Sequence, residues 1–584
     1  MLANDPISRV LYIDLARRKS WIENRVDLFE AGIGGVGVGI RLLNEECPAG
    51  ADPLGPENPI ILAVGPLVGL FPLASKTVAM FKSPHTGNLG ESHAGGRSAV
   101  AIRMAGYGAI VIRGRSSTPV YLVIDGDKVY FRDASALWGL HSSYTAGSVL
   151  REREKGSGER TILRIGRAGE KMVTYSGVIA ETYRHFGRLG LGAVFGSKQL
   201  KAMVISGRRS LPVSDRKAYR ALYEELYGAA VNAEVMKKYH QLGTSINVVP
   251  LNTIGGLPTR NLQSGRFEDA EAISGEKLAE EYLGRRVACA HCPVACVHLA
   301  ALRIPYEKDP YFYKTAMISY DHEPIFATGS MLGIGDVPGM LQLMDEIEVQ
   351  GLDVMSAGVT LAWATEAQQN GLVTSSDTGG LQLEFGHAES YKEAVKRIVS
   401  QPTDFYRALA RGAAYAAGIY GGMEYALTFG KNEMSGYHTG PGSHLGYLTG
   451  ARHSHLDGAG YSIDQKAAQK GETLDPEKTA DKLLQEERWR QVLTSLVTCL
   501  FARGMYTEDA VIRTLASAGI QRTAEDLAHF GAETLHLKNE FKRREGFDFA
   551  NLTIPSRIYK TLSPLGQINE EFMRKAIAHF AEQV

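Results

Sequence analysis

Three of the five cysteines in this 584-residue chain lie within eight positions of one another. Cys289, Cys292 and Cys296 read C-x-x-C-x-x-x-C in VACAHCPVACVH. This spacing lets one loop present thiolates to three corners of an iron–sulfur cube, with the fourth ligand arriving from elsewhere in the chain. Cys499 is the candidate for that corner. A 4Fe–4S cluster passes one electron at a time and suits an oxidoreductase that hands electrons to a protein acceptor. Four cysteines also satisfy tetrahedral zinc, so a zinc-stabilised binding protein without catalysis is the competing reading. Structural zinc usually uses paired C-x-x-C knuckles, and a triplet with a distant single favours the cluster. Cys47, in NEECPAG, is left as a structural or surface thiol.

Two further groups could manage protons. Asp321, His322 and Glu323 are consecutive, and because neighbouring residues point in different directions, only part of the run can face one substrate. Four histidines, His438, His444, His453 and His455, lie among glycines in GYHTGPGSHLGYLTGARHSHLDGAGY, a pattern that suits a loop passing close to a cofactor or a separate metal site. Glu533 and His536 share a helix face and read as solvated residues or an interfacial metal pair.

The elements that must carry these groups change character along the chain. Up to about residue 210 the sequence runs in short β-branched stretches broken by glycine and proline, such as PIILAVGPLVGL and KAMVISG. From LPVSDRKAYRALYEEL onward it reads as helices, with Asp215 capping the first. The expected architecture is α+β: a β-rich domain over 1–210 and two mainly helical domains over 211–415 and 416–584. The helical domains hold the cysteine triplet and the His-rich segment with Cys499, respectively.

Sixty-four basic and 64 acidic residues cancel, which gives no electrostatic footprint for nucleic acid or an anionic membrane surface. The N-terminus lacks a signal-peptide pattern, and no run of about 18 apolar residues occurs. A cytoplasmic protein without direct membrane insertion is expected.

Several longer blocks carry a family resemblance: GIGGVGVGIRLL at 32–43, KSPHTGNLGESHAGG at 82–96, IGRAGE at 165–170, GRLGLGAVFGSKQLKA at 187–202 and GLDVMSAG at 351–358. Together with the cysteines, these blocks make the chain resemble the aldehyde:ferredoxin oxidoreductases over essentially its whole length. The resemblance implies a tungsten bis-molybdopterin centre with Mg2+ bridging the two pterin phosphates, a 4Fe–4S cluster beside one pterin, and a β-rich platform for the pterins. It implies oxidation of an aldehyde to a carboxylic acid, with ferredoxin or an iron–sulfur subunit as electron partner, and it allows an oligomer. Carried over by position, the pterin contacts are Lys76, His93, Gly95, Arg188, Leu189, Gly190, Leu352, Asp353, Thr494 and Leu500. Lys76 and His93 depart from the arginine and asparagine usual there, and lysine replaces a planar fork by a point charge. Thr494 stands where the family carries a carboxylate.

The same resemblance implies a catalytic glutamate after the triplet and a histidine in the third domain. Lys314 falls at the glutamate position, Glu323 and His322 are the groups that could replace it, and His455 matches the histidine. A lysine there opens a second reading, in which the chain resembles the active-site subunit of tungsten benzoyl-CoA reductase and reduces an aromatic acyl-CoA thioester.

Overall fold

A computed structural model describes residues 5–156, 159–213, 215–306 and 309–584. The chain forms two compact units. The first gathers Met1–Lys237, Ala288–Val294 and Glu487–Phe547, and the second Lys238–Val287, Ala295–Glu486 and Asp548–Val584. This differs from a contiguous division at 210 and 415, because the stretch bearing Cys499 folds with the β-rich unit. The N-terminal sheets followed by helices bear out the α+β class.

The first unit contains two mixed sheets. Strands β1 (Arg9–Asp14), β2 (Lys19–Asn24), β3 (Ile60–Ala63), β4 (Thr77–Lys82), β5 (Leu89–Ala94) and β6 (Ala109–Arg113) lie in the order β2-β1-β6-β3-β4-β5. Strands β7 (Val120–Asp125), β8 (Lys128–Asp133), β9 (Glu159–Arg164), β10 (Val178–Ala180), β11 (Arg184–Phe186) and β12 (Leu200–Gly207) lie in the order β11-β10-β9-β12-β7-β8. LKAMVISG is buried at every position, as expected of a central strand covered on both faces, and KSWIEN is exposed throughout, as suits a charged edge. The glycines of GIGGVG let a helix, Gly35–Glu46, meet the segment before Cys499 backbone to backbone. A β-carbon on Gly34 would fall 2.9 Å from the Ser495 carbonyl oxygen. Gly37 N–H donates to Ser495 Oγ at 3.1 Å.

The second unit is mostly helical, but it holds a strand ribbon that the helical reading of 211–415 did not contain. Strands β13 (Leu283–Val287), β14 (Val297–Tyr306) and β15 (Asp309–Tyr320) form an antiparallel ribbon in the order β13-β14-β15. Asp215 caps its helix, Arg216–Asn232, through Lys217 N–H and Ala218 N–H, as the sequence predicts. Among the described residues no helix is long and apolar enough to cross a membrane.

Candidate active site

In the first unit, one residue ties two of the cysteine segments together. Leu73 N–H donates to the His291 carbonyl at 3.0 Å, between Cys289 and Cys292, and the Leu73 carbonyl accepts from Cys499 N–H at 2.8 Å. Neighbouring bonds hold the same strap: Lys76 N–H to the Val497 carbonyl at 3.2 Å, and Ala290 N–H to the Gly96 carbonyl at 2.9 Å. Tyr506 Oη donates to the Pro72 carbonyl at 2.6 Å. Cys499, 210 positions from Cys289 in sequence, is thus drawn to the loop bearing Cys289 and Cys292. Cys296, four residues beyond Cys292, belongs to the second unit.

One thiol on this strap, that of Cys289, is suited to ionise. Burial pushes the Cys289 thiol up, but Arg184, Lys76, the Gly96 N–H and the Ser75 hydroxyl outweigh it, and its pKa lies below the ordinary thiol value. Gly95 is required here, since a β-carbon would fall 2.7 Å from Cys289 Sγ. Cys47 is the opposite case, a buried thiol pushed up by desolvation.

The platform residues show mixed behaviour. Lys76 and Arg188 are half-buried, and Leu189 and Gly190 adopt left-handed backbone, with φ of 69° and 85°. Ser83 Oγ donates to the Leu189 carbonyl at 2.8 Å and fixes that turn. His93 Nε2 lies 2.7 Å from Glu91 Oε1, and Glu91 also pairs with buried Lys538 at 2.5 Å. Leu500 follows Cys499 in a single 3-10 turn. Thr494 donates its hydroxyl to the Arg490 carbonyl at 2.6 Å, one helical turn back. That bond uses its donor and leaves the hydroxyl oxygen able to accept. Glu533 and His536 are ordinary surface pairs, with Arg41 at 2.9 Å and Glu540 at 3.3 Å.

In the second unit, the run 321–323 opens a helix, His322–Thr328, and its three side chains take three jobs. Asp321 caps the helix by accepting Glu323 N–H at 3.2 Å. His322 is fully buried, and its Nε2 donates to the Gly436 carbonyl at 3.1 Å. Glu323 Oε2 accepts Gly436 N–H at 2.9 Å, and its Oε1 lies 3.4 Å from His455 Nε2. Ser435 Oγ meets the other His455 nitrogen, Nδ1, at 2.9 Å and orients the ring. A β-carbon on Gly436 would fall 2.8 Å from His322 Nε2, so glycine alone fits this clamp.

Tyr437 completes the group. Its ring stacks on Tyr461 at 4.4 Å and lies 5.3 Å from His455 and 4.9 Å from His322. Burial first, then the Glu323 carboxylate, hold its hydroxyl well above the usual phenol range, so it stays protonated. Burial lowers His322 to about 4, which makes it a neutral positioning group and no proton carrier. Lys314 is not brought to this group. It stands exposed on β15 opposite Ile304, six residues or about 20 Å of strand above Tyr320. Asp353 uses Oδ2 to cap the helix Val354–Gln369 through Ser356 N–H at 2.9 Å, with buried Leu352 before it.

The His-rich segment is mainly helical, at Pro441–Thr449, His455–Gly458 and Gly460–Lys470, which corrects the loop reading. His438 Nδ1 and His444 Nε2 are 2.9 Å apart, and His438 Nε2 donates to the Thr561 carbonyl at 3.1 Å. His453 Nδ1 meets the Tyr447 carbonyl at 2.9 Å. Among the described residues no three His, Cys, Asp or Glu side chains gather around a single-ion site. Burial lowers His438 to about 4 and His444 well below its ordinary value, whereas burial raises Asp464 to about 6.

These shifts carry a sign. Near pH 5 the unfolded chain binds protons on His322, His438 and His444 that the folded chain refuses, while folded Asp464 binds one that the unfolded chain lacks. Two protons favour the unfolded state, so stability should fall by about 3 kcal/mol per pH unit as acid is added from pH 6 toward 5. Urea midpoints that stay flat between pH 7 and 5 would contradict this.

Sequence reasoning missed Tyr437, Ser435, Gly436, Arg184 and Leu73. Only Tyr437 carried a signal, as an aromatic beside the histidine run.

Comparison with known proteins gives concordant results. The model of the aldehyde ferredoxin oxidoreductase N-terminal domain matches residues 10–207, and the model of domains 2 and 3 matches residues 221–582. The chain is 32% identical over 556 residues to the tungsten-containing aldehyde ferredoxin oxidoreductase of Thermococcus kodakarensis, covering 92% of this chain and 89% of that protein. It is 30% identical to an aliphatic sulfonate oxidoreductase, WOR-like subunit, of Pyrococcus furiosus, over 67% of this chain and 64% of that one. The fold resembles a chain in the active site complex BamBC of benzoyl coenzyme A reductase with 1,5-dienoyl-CoA. That likeness has a TM-score of 0.82 at 21% identity and covers 98% of this chain and 94% of that one.

Proposed function

Because the chain belongs to the aldehyde ferredoxin oxidoreductase family, and is thereby an oxidoreductase, we propose that it oxidises an aldehyde to a carboxylic acid at a tungsten bis-molybdopterin centre. The electrons leave singly through a 4Fe–4S cluster to ferredoxin or a partner iron–sulfur subunit. The observation that carries the proposal is the Glu323–His455 pair at 3.4 Å, held from both sides by Gly436 and Ser435.

Cys289, Cys292, Cys296 and Cys499 are the proposed cluster ligands. Three facts support them: the triplet spacing, the Leu73 strap, and the cations that favour the Cys289 thiolate. Lys76, His93, Gly95, Arg188, Leu189, Gly190 and Thr494 are the proposed pterin contacts of the first unit, with Leu500 beside Cys499. Leu352 and Asp353 are those of the second unit. A Mg2+ ion at the pterin phosphates completes the proposed cofactor set. When bound, the metal–pterin centre accepts an electron pair and the cluster passes it on one electron at a time.

Aldehyde and water become carboxylic acid, two protons and two electrons. Glu323 Oε1 and His455 Nε2 receive protons released as water adds to the carbonyl carbon, and Ser435 sets which His455 nitrogen is open to do so. The Gly436 N–H keeps Oε2 occupied and turns Oε1 toward the histidine. Glu323 thus supplies the glutamate that the family resemblance calls for, and Lys314 drops out as a catalytic group.

The acyl-CoA reading rested on lysine at the glutamate position and on the altered histidine-rich segment, and Glu323 beside His455 favours the aldehyde reading over it. A panel of aliphatic and aromatic aldehydes with benzyl viologen as acceptor tests the proposal. Turnover of at least one aldehyde is expected, and failure with all of them alongside reduction of an aryl-CoA thioester would reverse it.

A further inference from the structure

The ribbon β13–β15 takes no part in the proposed chemistry, yet it is built onto the cysteine loop. β13 ends at Val287, two residues before Cys289, and β14 begins at Val297, directly after Cys296. The inner end is anchored in the second unit. Leu299, Ile318 and Tyr320 are buried, and the His298 ring lies between the Cys296 and His240 carbonyls at 3.1 and 3.0 Å. The outer end is the reverse. Tyr306, Tyr311, Phe312 and Tyr313 are 61%, 86%, 65% and 52% exposed.

The register sorts these side chains. Arg303 lies opposite Thr315 and Pro305 opposite Tyr313, and directly opposed residues share a face. Arg303 and Tyr313 therefore line one face, and the Arg303 guanidinium lies 5.0 Å from the Tyr313 ring centre. Arg285, opposite Leu299 on β13, adds a second cation to that face. Both arginines are exposed, and among the described residues neither forms an ion pair. Exposed aromatics flanked by arginine make the composition of an interface centre, and a cluster of this kind left in water is unusual for a surface without a partner.

We propose that this face of the ribbon docks an acidic iron–sulfur electron carrier, which rests on the reading of the chain as a cluster-bearing oxidoreductase. Arg303 and Arg285 steer a carboxylate-rich surface in, Tyr313 buries against it, and the strands of this face run directly into the cysteine segment at Val287 and Val297. A second copy is disfavoured as occupant, because twofold pairing of this face would set Arg303 and Arg285 against their own images. Two cations on a chain of zero net charge are also too few for nucleic acid.

The test uses holoenzyme reduced with dithionite, freed of excess reductant and mixed by stopped flow with a small acidic oxidised 4Fe–4S ferredoxin or with benzyl viologen. Arg303→Glu and Tyr313→Ser are compared with the native chain. The second-order rate to ferredoxin should fall at least tenfold in each variant, and Arg303→Glu should also flatten its salt dependence. The rate to viologen should stay within twofold. An unchanged ferredoxin rate would overturn the proposal, as would an equal fall with both acceptors, which would mean that the ribbon supports the cluster rather than the carrier. Sedimentation showing a dimer that the variants dissociate, with ferredoxin transfer intact, would assign the face to self-association instead. Iron is measured first in the native chain, and a chain without iron would sink the parent reading separately from these outcomes.

Discussion

Glutamine in place of Glu323 is expected to lower aldehyde turnover by about 10²- to 10⁴-fold, the usual worth of a positioned general base, with tungsten and iron unchanged. The substitution keeps the volume and leaves an amide oxygen to accept the Gly436 N–H, so the loop that holds His455 and Tyr437 stays in place. What disappears is a site that can hold a proton beside His455 Nε2. The loss should fall on kcat rather than KM, because the carboxylate acts on the reacting proton and not on substrate binding. Turnover that survives the change at native metal content would remove Glu323 from the chemistry.

The second large effect concerns Cys499. Alanine there should cost at least one of about four irons per chain and abolish electron delivery to ferredoxin, because a cube left with three ligands sheds its open corner. Leu73 bonds to both His291 and Cys499, so the backbone brings Cys499 to the loop of Cys289 and Cys292 whether or not its side chain is a thiol. The fold should therefore survive while the metal does not. Cys47→Ala is the matched control, since that thiol is buried and its pKa raised, and iron should not change. An iron count and EPR signal in Cys499→Ala equal to those of the native chain would break the assignment of the fourth ligand.

Much of this was readable from residue order, for identifiable reasons. The triplet spacing is local, so the sequence displayed it directly, and the β-rich first 210 residues announced themselves by apolar runs such as LKAMVISG, buried at every position. The run 321–323 was legible as chemistry but not as a division of labour. Which of the three caps, which braces and which meets His455 depends on Gly436, 113 residues away from Glu323. Lys314 misled because position along the chain was taken for position in space, and an antiparallel ribbon carries it outward. The ribbon was hidden in turn by its inner half, where burial on both faces erases the alternation that marks a strand. Strap contacts such as Leu73 with Cys499 leave no sequence mark, because backbone groups make them and any residue could provide them.

The central claim is that this chain holds a tungsten–pterin centre and an iron–sulfur cube. Elemental analysis of protein produced with tungstate and iron supplied tests it most directly, read together with the EPR spectrum after dithionite reduction. We predict about four irons and one tungsten per chain, with a reduced-cluster signal. Zinc alone, with no iron, no tungsten and no signal, would contradict the account.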